Sequence, residues 1–257
     1  MYQYNDDSLM LHNDLYQINM AESYWNDGIH ERIAVFDLYF RKMPFNSGYA
    51  VFNGLKRVVN FIENFGFTNE DITYLKSIGY EEDFLNYLKD LKFTGNIKSM
   101  QEGEICFGNE PLLRVEAPLI QAQLIETILL NIINFQTLIA TKASRIRQIA
   151  THDTLMEFGT RRAQEIDAAL WGARAAFIGG FDSTSNVRAG KLFNIPVSGT
   201  HAHALVQTYG DEYIAFKKYA ERHKNCVFLV DTFHTLKSGV PTAIKVAKEL
   251  GDTINFI

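Results

Sequence analysis

Between residues 154 and 231 the chain repeats one pattern: a short apolar run stops abruptly and polar residues follow it. Residues 155–158 give way to Gly159, Arg161 and Arg162. Residues 175–178 lead into Gly179, Gly180, Asp182, Ser183 and Thr184. Residues 195–197 lead into Ser198, Gly199, Thr200, His201 and His203, and residues 226–230 end in Asp231 and Thr232. Segments of helical length and composition lie between or after the runs, at 163–173, 186–193, 205–223 and 241–250. Apolar runs alternating with helices predict parallel strands joined by crossover helices. In such sheets and barrels the chemistry collects at the carboxyl ends of the strands. Arg, Asp and His falling repeatedly at those ends therefore predict one shared site.

Upstream the pattern is different. His12-Asn13-Asp14 precedes a helix over residues 15–25, with Asn13 or Asp14 as its cap and Gly28 as its stop. Tyr16, Met20 and Tyr24 recur there at helical spacing and predict a core stripe. Residues 34–40 alternate as a strand does, Pro44 breaks it and Gly48 completes a turn. Amphipathic helices follow at 55–65, at 69–75 with Thr68 as cap, and at 81–91. Alternation punctuated by Gly103, Gly108, Asn109 and Pro111 marks short antiparallel strands over 95–119.

Residues 119–150 contain neither Gly nor Pro and predict one or two long helices, apolar almost all round in the first half. A membrane span needs about 20 mostly apolar residues. Glu126, Asn131, Asn134 and Gln136 interrupt this run, which favours a buried central helix; Lys142, Arg145 and Arg147 turn the second half outward. The fold class is thus α/β: an α+β domain over 1–118, then part of an α/β barrel over 119–257. A closed barrel of eight strand–helix units takes about 250 residues. The segment from residue 150 onward supplies roughly half of one and ends on a fifth apolar run, 253–257. The expectation is a barrel completed by another chain, or a shortened form of a longer protein, with an open strand edge prone to aggregation.

Composition narrows the partners. Net charge is −5, with 25 Lys and Arg scattered among 30 Asp and Glu, so neither nucleic acid nor an anionic membrane is the expected main partner. A few placed arginines still suit an anionic small molecule. Cys106 and Cys226 fit no zinc or redox spacing, and Cys226 reads as a buried free thiol. The polar, acidic residues 1–8 resemble neither a signal nor a transit peptide, and the expected compartment is the cytoplasm.

Among the candidate groups, His203 is the nucleophile or proton carrier, and Asp231 at the next strand end is its orienting partner. His201 and His203 point to opposite sides of an extended backbone. The rival reading is a barrel metal hydrolase using both, with His152, Asp153 and Asp231 as further ligands. No His-Glu-x-x-His or Cys-x-x-Cys supports it, and no resident metal is expected. Arg161 and Arg162 offer guanidinium forks for a carboxylate or phosphate, and Phe158 a face for a flat ring. One of the two arginines reads equally well as a surface ion-pair partner. Gly179 and Gly180 form a candidate anion nest at a helix start.

Taken together, Asp14-Leu-Tyr-Gln, Phe40-Arg-Lys-Met-Pro-Phe, Glu157-Phe-Gly-Thr-Arg-Arg-Ala, Gly179-Gly-Phe-Asp-Ser-Thr-Ser-Asn and Gly199-Thr-His-Ala-His resemble the nicotinate phosphoribosyltransferase family, in that order. The resemblance spans essentially the whole chain. It implies a type II phosphoribosyltransferase-like fold, an α+β sandwich-like domain followed by an irregular α/β barrel, and formation of nicotinate mononucleotide from nicotinate and phosphoribosyl pyrophosphate. That reaction is coupled to hydrolysis of ATP, carried with Mg2+, and belongs to NAD biosynthesis. By resemblance His203 is the phosphorylated histidine and Thr200 lies against nicotinate. Tyr16, from the partner subunit of a homodimer, and Phe158 stack on the two faces of the pyridine ring, with Arg161 beside it. Asp182 and Asp231 line the pocket.

Two departures stand out. The family pattern Asp-Thr-Tyr-Asp-Thr reads Asp231-Thr-Phe-His-Thr here, placing His234 where an acid is usual, and Asn13 replaces a threonine. Family members are also nearly twice as long. The missing half would carry ribose- and phosphate-binding groups, so the chain alone is expected to have little transferase activity. It then acts as an inactive fragment or as one part of a split enzyme.

Overall fold

A computed structural model describes residues 9–251 and 255–256 of the chain. The acidic segment 1–8 and residues 253, 254 and 257 of the expected terminal run lie outside the described residues. The chain forms two compact units, divided between Pro196 and Val197.

The first unit runs α1 (Leu15–Asn26), β1 (Ile33–Leu38), β2 (Ala50–Val51), α2 (Leu55–Glu63), α3 (Asn69–Ser77), α4 (Glu82–Asp90), β3 (Asn96–Ser99), β4 (Ile105–Cys106), β5 (Leu113–Pro118), α5 (Leu119–Ile149), β6 (Met156–Glu157), α6 (Glu165–Ile178), β7 (Ser183–Thr184) and α7 (Val187–Phe193). The second runs α8 (His203–Tyr209), α9 (Glu212–Ala220), β8 (Asn225–Cys226), α10 (Val240–Leu250) and β9 (Asn255–Phe256). Strands β1, β5 and β3 form an antiparallel sheet in that order, with Phe36 opposite Val115. Strands β2 and β4 pair antiparallel, whereas β6–β7 and β8–β9 pair parallel. The α+β half and the later parallel pairs give the expected α/β class.

Alternation explains the main sheet. Leu113, Val115 and Ala117 of β5 point inward while Arg114 and Glu116 point out, and the inward residues join one core with α1–α4 and the first half of α5. Thr68 caps α3 as expected: its hydroxyl accepts the Asp71 amide (3.1 Å) and the Asp71 carboxylate accepts the Thr68 amide (2.8 Å).

Helix α5 has 31 residues and is about 46 Å long at the usual rise per residue. It is long and apolar enough to cross a membrane, yet Ile120, Leu124, Ile125, Ile128, Ile132 and Ile133 are buried in the first core. Its buried threonines serve the edge of β2: the Thr141 hydroxyl accepts the Val51 amide (2.9 Å), and the Thr137 hydroxyl accepts the Asn53 amide (3.2 Å). Residues 119–133 therefore share the core of the elements before them, so compactness divides the chain after Pro196 and not after residue 118.

Two expectations fail locally in the first unit. Residues 175–178 are the last turn of α6 and not a strand: Ala175 is buried against Ala140 of α5, and Gly172 lies against Phe135 of the same helix, so small residues pack α6 closely on α5. A Cβ on Gly179 would stand 2.5 Å from the Ala140 carbonyl. Gly179 and Gly180 thus end a helix and do not begin one, and Gly180 has the left-handed φ of 105° common at such stops. No anion nest at a helix start exists there.

The stripe on α1 is the second failure. Its buried residues are Gln17, Ile18 and Ala21, while Tyr16 and Met20 face outward and Tyr24 is half-buried. The Asp14 side chain makes no capping bond, and the Asn13 amide is spent on the Leu124 carbonyl (2.8 Å).

The second unit has its own small core of Val206, Ala215, Phe216, Ala220, Cys226 and Val246. The expected helix over 205–223 is broken by Gly210 (φ 70°), and the run 226–230 forms a strand only at Asn225–Cys226. Both cysteines are free and buried, as read for Cys226; burial pushes the Cys106 thiol up to about 11 and also raises Cys226.

Candidate functional site

The sequence-predicted residues fall into three groups. Tyr16 belongs to the first unit and lines an open groove of about 460 Å3. Its walls include Asp14, Phe40, Lys42, Glu126, Asn131 and Asn134. Three of the four polar residues that interrupt α5, Glu126, Asn131 and Asn134, are therefore one wall of a groove, and Gln136 is buried. Gln17 ties that wall to α1 by donating to the Glu126 carboxylate and to the Tyr16 hydroxyl, each at 3.0 Å. Phe158, Arg161 and Asp182 are not among the groove's residues.

Phe158 and Arg161 follow the carboxyl end of β6, whereas Asp182 precedes β7 and lies at the amino end of the parallel β6–β7 pair, beside Leu155. The Glu157–Thr184 register and the Ser185 amide to Glu157 carbonyl bond (2.9 Å) hold the strand ends together. Phe158 is exposed, and Arg161 and Arg162 sit in the single 3-10 turn Thr160–Arg162 that follows it. Among the described residues neither arginine forms an ion pair, so the surface-pair reading gains no support and both guanidinium groups are open to an anion.

Asp182 is engaged elsewhere. Its carboxylate accepts the Leu155 amide (2.7 Å) and pairs with Arg147, which also binds the carbonyls of Gly180, Ala150 and Asp153. The Leu155 amide and the Arg147 guanidinium hold the Asp182 carboxyl below its ordinary value despite the opposing effect of desolvation. This clamp ties the end of α5 to the start of β6 and the approach to β7; it was not legible in sequence, because Arg147 and Asp182 are far apart in the chain.

The second unit holds Thr200, His201, His203 and Asp231. His203 opens α8 with its ring exposed. Its Nδ1 lies 3.3 Å from the Thr232 hydroxyl, and its Nε2 lies 3.9 Å from Asp231 Oδ1, within ion-pair range but beyond a hydrogen bond. Thr232 is the partner that sequence reasoning missed, although it directly follows the aspartate it had singled out. Thr200 is exposed and donates its hydroxyl to the His201 carbonyl (2.9 Å). His234 caps the turn Thr235–Gly239, its Nδ1 accepting the Lys237 amide (3.2 Å). An imidazole acceptor there does the capping work that a carboxylate also performs.

His201 is the structural histidine of the pair. It is 7% exposed, packs on Phe216, Tyr219 and Phe228, and its Nε2 accepts the Leu229 amide at 3.2 Å. With Nε2 so used, it does not converge with His203 on a metal, and among the described residues no three His, Cys, Asp or Glu groups could hold one.

Burial pushes the His201 pKa down, only partly countered by the Ala202 carbonyl. The folded value thus lies below the unfolded one of about 6.5. The unfolded chain takes up the proton first, so this stabilisation is whole above about pH 6.5 and is lost as pH falls below it. Melting of the chain should fall between pH 7 and 5, and His201→Gln, which keeps an acceptor for Leu229, should flatten that dependence. An unchanged slope in the variant would refute this account.

Comparison with known proteins adds independent observations. A family model described as the nicotinate phosphoribosyltransferase N-terminal domain matches residues 11–134. A nicotinate phosphoribosyltransferase of Bacillus subtilis (strain 168) is 67% identical over 257 residues, which is 100% of this chain and 52% of that protein. One from Dictyostelium discoideum is 40% identical over 92% of this chain and 48% of its own length. The crystal structure of human nicotinic acid phosphoribosyltransferase superposes with a TM-score of 0.86 at 31% identity, covering 95% of this chain and 60% of that one. The chain spans about half the length of the relatives it matches in sequence.

Proposed function

The chain belongs to the nicotinate phosphoribosyltransferase family and matches its amino-terminal half, and from that premise we propose that it carries the nicotinate-binding and phosphoryl-accepting parts of such an enzyme. The reaction joins the pyridine nitrogen of nicotinate to the ribosyl carbon of phosphoribosyl pyrophosphate, expelling pyrophosphate. It takes place in NAD biosynthesis, in the cytoplasm, with ATP hydrolysis as the coupled drive.

The observation that most supports this reading is the exposed His203 between Thr232 and Asp231, beside a histidine that is wholly structural. The Asp231 carboxylate on the Nε2 side favours the tautomer protonated there. Nδ1 then keeps its lone pair, which, once the Thr232 hydroxyl turns away from it, attacks the γ-phosphorus of ATP and releases ADP. N-phosphorylation makes the ring cationic, and Asp231 stabilises that charge. Asp231 and Thr232 are hard oxygen donors and suit Mg2+ carried by the triphosphate, which neutralises its charge when bound.

Arg161 pairs with the nicotinate carboxylate and Phe158 covers one face of the ring. Tyr16 covers the other face from a second copy in a homodimer, which accords with its exposure on α1. Asp182 is the pocket-lining acid, its carboxylate held in place by Arg147 and the Leu155 amide.

Calorimetric titration tests the binding half of the proposal. A charge-assisted hydrogen bond is worth about 1.5–3 kcal/mol. Arg161→Ala should therefore weaken nicotinate binding roughly 10–100-fold and erase the preference for nicotinate over uncharged nicotinamide. Equal affinity of the two proteins for nicotinate would remove Arg161 from the site.

A further inference from the structure

Glu157 has both carboxylate oxygens committed. Oε1 accepts the amide of Gly159, two residues along, and Oε2 accepts the Thr184 hydroxyl at 2.7 Å. Thr184 is fully buried, and its oxygen also accepts the amide of Asn186 (3.0 Å), the residue that caps α7. The carboxylate thus folds back over its own turn and fastens it to a buried anchor on the neighbouring strand.

Gly159 supplies an independent sign of the same arrangement. Its φ is −83°, a conformation open to any residue, so backbone freedom is not what glycine provides here. A Cβ at that position would stand 2.7 Å from Glu157 Oε1. What the absent side chain leaves is room for the carboxylate.

We propose that Glu157 is a positioning residue that holds the turn 157–161 in the conformation presenting Phe158 and Arg161 to the ligand. The inference rests on reading those two residues as nicotinate contacts. Glu157 itself touches no ligand: its two oxygens are taken up inside the turn by one amide and one hydroxyl. Misplacing a binding group by about 1 Å costs up to roughly 100-fold, which sets the scale of the expected effect.

The test compares wild type, Glu157→Ala, Glu157→Gln and Gly159→Ala by nicotinate calorimetry and by hydrogen exchange at the residue-159 amide. Glu157→Ala should weaken nicotinate binding roughly 10–100-fold and speed exchange at that amide at least about 10-fold. Glu157→Gln keeps an acceptor for Gly159 and a donor for Thr184, and should recover most of both. Gly159→Ala pushes the carboxylate aside without straining the backbone and should reproduce the affinity loss even if Glu157→Ala folds poorly.

A lowered melting temperature in Glu157→Ala with wild-type affinity and exchange would reduce Glu157 to ordinary structural support and overturn the proposal. A wild-type chain that does not bind nicotinate would instead overturn the reading of Phe158 and Arg161, and with it the purpose assigned to the turn. The amide exchange would still report separately whether Glu157 fastens it.

Discussion

Incubated with γ-labelled ATP, the chain should acquire acid-labile, alkali-stable label, and His203→Ala should acquire none. The expectation follows from exposure and partners. His203 is the histidine of its unit with an accessible ring flanked by a hydroxyl and a carboxylate, whereas His201 is buried and bonded to Leu229. ATP turnover in the variant should fall at least ~100-fold, the lower range for loss of a positioned proton-transfer group or nucleophile. Asp231→Asn should lower the label without abolishing it, because it removes the charge that stabilises the phosphorylated ring. Label retained by His203→Ala would place the acceptor elsewhere. Wild-type protein that takes up no label would refute the assignment of the phosphoryl acceptor to this chain acting by itself.

The largest expected effect on stability lies in the first unit, at Glu102 and Arg174. The Arg174 guanidinium grips both Glu102 oxygens, and Glu102 Oε1 also accepts the Gly54 amide (2.9 Å) at the start of α2. Both side chains are largely buried, 12% exposed for Arg174 and 16% for Glu102. Removing one member strands the other charge, at a cost of about 3–5 kcal/mol.

Glu102→Ala should therefore lower the melting temperature by roughly 6–20 °C. Replacing both residues by methionine should be much less damaging, because no charge is then left buried. Desolvation acts to raise the Glu102 pKa, but Arg174 and the Gly54 and Lys56 amides outweigh it and hold the carboxyl below the ordinary glutamate value. A depressed folded pKa means that stability is present above the unfolded value and is lost as pH falls through the folded one. The wild type should thus lose stability in acid more steeply than the double variant. A single variant melting within 1–2 °C of wild type would show that the pair carries little.

The local pattern was informative wherever local forces decide structure. Thr68 capped its helix because Ser, Thr and Asp side chains reach the first free amides, an effect contained within four residues. The opposite fates of His201 and His203 followed from backbone alternation. Alternation failed at 175–178, where an apolar run too short to show its period continued a helix packed on α5. It failed again on α1, because periodicity reveals a stripe but not whether a core or a groove meets it.

By itself, then, the sequence determined the α/β class, the long helix α5, the turn chemistry and the residue types available at strand ends. These rest on propensity, capping and period, which act over a few residues. Tertiary structure decided which polar groups were already committed: Asp182 to Arg147, Glu157 to Gly159 and Thr184, Glu102 to Arg174, His201 to Leu229. Apart from the local Glu157–Gly159 contact, these bonds join residues 27 to 72 positions apart in the chain. A buried polar atom takes whichever partner folding brings within reach, because leaving it unpaired costs more than any local preference supplies.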